Sequence, residues 1–414
     1  MARRGKTQQR SRNARRSPGP LFPSGEPLAV FDGLCRKTLA TQGREVFASG
    51  DPLEAEMWVS YLLGMFSGLP LIGEPDPAEA IGGRLVSVAQ KRRTPEAQMC
   101  LRTLAAVASR GLAGRAKKAS ASLGMAASQV PSWTRMIGTA RAISAWRASD
   151  LWGDQDSIMV GFRYPDGAEH CALVLVDHLL GGIAKDATVL WTPVAEVLQG
   201  WDDFDLVEEN LAEAAGRIMA AVTITERSIR APITEDYTDA AALLKARFGP
   251  VAGKVIAPAP LPPIERKHLA HEFLAAEAGR RFAHDPDVCL LLDALIDWRC
   301  DAGADPLRWS DSAIELFLLG SMPRRLVAPD ALSRRVPEVL GAWVPWAATR
   351  AGLPEFLAQE SLAMIAEIGD EALEALSDQT RWSPAKRRAM QMFAGEVDLT
   401  EGDAVGEWPL SGAG

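Results

Sequence analysis

Arg163, His170, Asp177, His178 and Asp186 fall within one stretch, residues 142–191. They are the residue types from which acid–base or cation chemistry is built. An imidazole takes and returns a proton near neutral pH, and a neighbouring carboxylate or guanidinium tunes it. Two close carboxylates need a cation or a shared proton. Whether these side chains meet depends on strand pairing, because the stretch reads as β structure. Ile158, Val160, Phe162 and Tyr164 alternate with Ser157, Met159, Gly161 and Arg163, the period of a sheet covered on one side. The run from Cys171 to Val176 is apolar on both faces and belongs inside the sheet. Trp152-Gly153-Asp154, Pro165-Asp166-Gly167 and Gly181-Gly182 are the turns, so a four-stranded antiparallel meander is expected.

Register then decides the chemistry. If Asp166 and Gly167 form a two-residue loop, Pro165 opposes Ala168, Arg163 lies across from His170, and Gly161 lies across from Ala172. His170 and His178 share a face with Arg163 nearby, a polar cluster suited to an anionic substrate. His170 and Cys171 are adjacent on a strand, point to opposite faces and form no nucleophile–base pair. At Gly181-Gly182 a two-residue loop sets Asp177 against Asp186, a repulsive pair and a candidate cation site. A three-residue loop, Leu180 to Gly182, sets Leu179 against Ile183 and Asp177 against Lys185. It also brings Ala187 and Val189 beside Leu175 and Leu173. Electrostatics favours this second register, with an exposed Asp177–Lys185 pair worth about 0.2–1 kcal/mol.

Other spacings carry less. His271-Glu272 starts a metalloprotease-like helix, but Ala275 stands where the second histidine is needed. Glu265 and His268 have di-iron spacing without partner helices to complete the set. His268, His271, Glu272 and His284 read as solvated positions. Asp293, Asp297 and Asp301 read as a solvated acidic helix face near Arg299. There is no Gly-x-Ser-x-Gly elbow, no dinucleotide fingerprint and no Cys-x-x-Cys pair. Gly5-Lys6-Thr7 lacks the upstream glycine and strand of a phosphate-binding loop. No cofactor and no metal is expected from these motifs, Asp177 and Asp186 being the candidates for one.

The elements that position these residues are mostly helical. Asp51-Pro52-Leu53-Glu54 is a strong helix start, and the helix from 52 to about 67 is apolar all round, hence central. Helices are expected at about 95–110, 112–123, 206–224 and 237–248. The tract 257–263, APAPLPP, is a polyproline-like linker. Beyond it come helices at about 285–300, 309–320, 336–351, 354–367, 369–377 and 383–394, with five tryptophans as core and rim packing. The predicted fold is therefore α+β and predominantly helical. Its divisions are a basic tail, 1–26; an N-terminal helical region, 27–130; an α+β region, 131–255; the linker, 256–263; a C-terminal helical domain, 264–395; and a tail, 396–414.

Composition at 414 residues, 47% hydrophobic and 24% charged, is that of a globular chain of two or three domains. The first twenty residues carry Arg3, Arg4, Lys6, Arg10, Arg12, Arg15 and Arg16 and no acid. The whole chain sums to −8, so the remainder sums to −15. Such an arm is an expected contact for nucleic acid or another polyanion, without interleaved aromatics to stack on bases. The longest uncharged run, Met57 to Gly73, is short for a membrane span and is broken by glycine and proline, so no membrane partner is expected. Five cysteines, an odd number, fit reduced thiols. Cys289 and Cys300 share one predicted helix about 16 Å apart, too far to bridge. With no secretory h-region, the expected compartment is the cytoplasm.

GDQDSIMVGFRYPDGAEHCALVLVDHLLGGIAKDA and VPEVLGAWVPWAATRAGLPEFL together resemble uncharacterised actinobacterial proteins. That resemblance implies the same compartment and brings no activity. The expected role is binding or scaffolding with a protein partner. The alternatives are a hydrolase using the polar face of the sheet, through His170, His178, Asp177 and Arg163, and a nucleic-acid-associated protein bound through its arm.

Overall fold

A computed structural model describes residues 26–65, 77–201, 205–254, 261–301 and 303–393. The basic arm, most of the proline-rich linker and the C-terminal tail lie outside the described residues, so the arm arginines and lysine have no structural account.

The fold is α+β and mostly helical, with a sheet of five strands rather than four. They are β1 (Arg141–Ser149), β2 (Gln155–Arg163), β3 (Glu169–Asp177), β4 (Ile183–Leu190) and β5 (Leu206–Glu208), all antiparallel in the order β4-β3-β2-β1-β5. The fifth strand takes residues expected to open a helix. That helix instead starts at Leu211, where Asn210 accepts hydrogen bonds from the Ala212 and Glu213 N–H groups as its N-cap. Three residues show no strand period of their own; pairing with β1 makes β5 a strand.

Ile158, Val160 and Phe162 of β2, Tyr164 just beyond it, and His170, Ala172, Val174 and Val176 of β3 are all buried. Helices Leu211–Arg227 and Glu235–Phe248 pack on the sheet, with helix Pro52–Gly64 against the second of them. Asp51 caps this last helix through the Leu53 N–H, as its Asp-Pro start predicts. The last turn of the helix presses so closely on its neighbour that a Cβ at Gly64 would collide with the Thr238 carbonyl. Apolar burial continues from Cys35 to Phe248 in one core. The opposite face of the sheet carries Trp146, Met159, Cys171 and Leu173 under the short helix Val194–Leu198.

A second core, from Ala270 to Leu376, is built by helices that include Pro263–Ala275, Pro286–Asp301, Val336–Arg350 and Glu355–Ser377. Trp309 and Trp343 are fully buried in it. The two helices expected over 354–377 are one, because Gly369 neither caps nor interrupts the run. Between Asp311 and Arg325 the helical path is broken by a π-turn, Leu316–Ser321.

Candidate ligand-binding cleft

The Pro165-Asp166-Gly167 turn holds three residues, not two. The Gly167 N–H donates to the Tyr164 carbonyl, the Tyr164 N–H donates to the Ala168 carbonyl, and Gly167 adopts the left-handed conformation at φ 96°. One added loop residue slips the register, so Arg163 opposes Glu169 and Phe162 opposes His170. A one-residue slip exchanges faces. Arg163 therefore lies away from His170 and pairs with Glu169 at 2.6 Å. His170 is 2% exposed, stacked on Phe162 and tilted against Tyr164, with ring centroids 5.3 and 5.2 Å away. Burial, helped by the Arg247 charge, lowers it to about 3, so it stays neutral. His178 lies eight residues on, roughly 26 Å along the strand. The expected His170–His178–Arg163 cluster is not assembled.

The His170 surroundings hold a buried polar group that sequence reasoning missed. Glu56 accepts hydrogen bonds from the Tyr164 hydroxyl at 2.9 Å and from the Gly138 N–H at 2.6 Å, and it pairs with Arg247. Burial pushes the Glu56 carboxyl up against the pull of the Arg247 guanidinium. These partners are up to 191 residues apart in sequence, and no local pattern links them.

At the other end of the sheet, neither predicted register of the Gly181-Gly182 turn forms. Asp177 opposes Ile183 across a longer loop closed by the Gly182 N–H on the Asp177 carbonyl at 2.9 Å. A bulge at Lys185 then sets Leu175 against Asp186, and Ala187 and Val189 against Val174 and Ala172 on the core face. The bulge still delivers the Lys185 ammonium to Asp177 at 2.9 Å. The pair is not the exposed one expected: Asp177 is 2% exposed and also accepts from the Leu180 N–H. Asp186 is turned elsewhere, accepting from the Thr234 hydroxyl at 2.5 Å. Among the described residues, no group of three or more His, Cys, Asp or Glu side chains is placed to hold a metal ion.

His178 meets Asp156 at 2.9 Å instead, and the Ser149 hydroxyl donates to the same carboxylate at 2.5 Å. Burial alone would raise Asp156. Hydrogen bonds from His178 and Ser149, with the charges of His178 and Arg147, outweigh it and hold the carboxyl down at about 2. Serine and histidine both bind the carboxylate, so neither activates the other. Among the described residues no serine, threonine or cysteine hydrogen-bonds to a histidine ring. The other histidine candidates are also dispersed: His271 hydrogen-bonds the Lys267 carbonyl, and Glu272 pairs with Arg350. Arg266, not Arg299, reaches the acidic face, at 2.7 Å from Asp297 and 3.2 Å from Asp301.

Arg299 is 1% exposed and points to the sheet. It pairs at 2.9 Å with Asp154 of the β1–β2 turn, which is 3% exposed. The Ser310 hydroxyl donates to the same carboxylate while accepting from the Ala313 N–H as the N-cap of helix Asp311–Glu315. Arg308 donates to the Leu151 carbonyl at 2.9 Å. This polar latch fixes where helix Asp311–Glu315 starts, and the π-turn follows directly on that helix. A cleft of about 420 Å³ opens beside it. The sheet contributes Gln155, Asp177 and Lys185, and the β3–β4 loop Leu180; the helical body contributes Glu315, Leu316 and Leu319. Clefts between packed bodies are common ligand sites, and π-turns recur at functional positions. Asp177 is the one sequence candidate of the five that lines it. Scanned against protein-family models the chain finds no match, and no curated protein or solved structure matches it.

Proposed function

We propose that the chain is a binding protein whose ligand lies in the cleft between the end of the sheet and the π-turn. The observation that carries this reading is the cleft's lining. Leucines from both bodies line it, and the Asp177–Lys185 pair is joined by Glu315 to leave one negative charge in excess. An amphipathic segment of a protein partner, apolar with a basic residue, satisfies both features. The dispersal of His170, His178 and Arg163 supports binding over the hydrolase alternative. Five free thiols support a reducing compartment, the cytoplasm. Among the described residues no helix is long and apolar enough to cross a membrane.

The test is native mass spectrometry and peptide-array binding on the full chain and on the double variant Glu315→Lys, Leu316→Glu. Both positions are exposed at the cleft, so the variant keeps its fold. Basic-apolar peptides are expected to bind the parent chain and to lose most of their affinity for the variant. Equal binding by the two proteins, or preference for acidic peptides, overturns the reading.

A further inference from the structure

The π-turn has a second cavity on another side, apart from the cleft. It measures about 240 Å³ and lies between helix Pro286–Asp301 and the segment from Phe317 to Val327. Its floor is apolar: Leu291, Leu295, Phe317 and Val336 are all buried, and Trp298 forms a partly exposed wall. Asp297 and Asp301 line it, both more than half exposed, and Arg325 lines it as well. A single guanidinium, Arg266, serves both aspartates, which leaves one negative charge over. Arg325 has no ion pair among the described residues.

These features narrow the occupant. The volume falls below the roughly 300–1,000 Å³ of pockets for drug-sized ligands, so a smaller molecule is required. A purely apolar guest would strip water from the aspartates and Arg325 without replacing it. A simple cation would use only the aspartates, and a simple anion only Arg325. A molecule with an ammonium, a carboxylate and a bulky apolar group meets all three demands. We infer that this cavity binds a free α-amino acid with a large apolar side chain. The ammonium sits at Asp297 and Asp301, the carboxylate at Arg325, and the side chain against Trp298 and Phe317. The inference stands independently of the cleft.

The experiment is isothermal titration of the full chain with L-phenylalanine and L-leucine. Two analogues each remove one charge: L-phenylalaninamide and N-acetyl-L-phenylalanine. The amino acids are expected to bind with Kd on the order of a millimolar or tighter, and each analogue at least about tenfold more weakly. Arg325→Gln, at an exposed position, is expected to bring L-phenylalanine down to the level of its amide. Ala294→Phe, which adds a ring to the cavity lining from a half-buried helix position, is expected to abolish binding; its fold is checked by circular dichroism. No binding of either amino acid overturns the proposal. So does equal binding of all the phenylalanine compounds, or binding unchanged by Arg325→Gln.

Discussion

His170 ties the stability of the molecule to pH through a single ring. In the unfolded chain it titrates near its ordinary value of about 6.5, whereas burial lowers it to about 3 in the fold. The unfolded state therefore takes up a proton that the folded state refuses. The associated stability is fully present above about pH 6.5 and is lost as pH falls toward the folded value, with a slope approaching 1.4 kcal/mol per pH unit at about pH 5. Chemical denaturation at pH 7 and pH 5 measures this directly. Replacing the imidazole in His170→Phe keeps a ring against Phe162 and Tyr164 and is expected to flatten the dependence between those two pH values. An unchanged slope in the variant would assign it to other groups. Asp156 acts in a lower window: its carboxyl, held at about 2, contributes stability that is lost only as pH falls below its ordinary value of about 4.

At the scale of elements, two glycines make opposite demands on the same substitution. Gly64 ends its helix against the Thr238 carbonyl, a backbone atom with no rotamer to escape through. Gly64→Ala is expected to cost about 1–3 kcal/mol by forcing the two helices apart. Gly369 sits within the helix Glu355–Ser377, and nothing lies within 4 Å of its would-be Cβ. Gly369→Ala is expected to stabilise by about 0.5–1 kcal/mol through helix propensity alone. Denaturant midpoints of the two variants should move in opposite directions; stabilisation by Gly64→Ala would show that helix propensity, not close packing, dominates there. The sheet shows how small an element can matter: one residue in the β2–β3 loop moves Arg163 and His170 to opposite faces.

Across the whole molecule, two cores meet through the Asp154–Arg299–Ser310 latch. Desolvation offsets much of the attraction in a buried ion pair, so the latch is weak evidence for high stability. Removing one partner is different, because the other charge stays buried and unpaired. Asp154→Ala is therefore expected to destabilise by about 3–5 kcal/mol, with the loss concentrated in the helical body that holds Arg299. Calorimetry of the variant should show the C-terminal core melting ahead of the sheet-containing core, as two transitions. One transition at the parent midpoint would mean that the latch does not join the cores energetically.

Local chemistry determined much of this protein directly from sequence. Asp51-Pro52 starts a helix because the carboxylate caps an N–H and proline has none to lose. Alternation in β2 places Val160 and Phe162 on the core side because side chains alternate along any strand. Both signals act over a few residues, so tertiary context does not revise them. The register of the β2–β3 and β3–β4 turns was not determined this way: loops of different length use the same glycines, and the packed sheet selects among them. β5 exists only because β1 offers an edge. Glu56 is brought to Tyr164 and Arg247, and Asp154 to Arg299, by folding across more than a hundred residues. The cleft has walls from the end of the sheet and from the helical body, and only the tertiary structure, which places one beside the other, decides its chemistry.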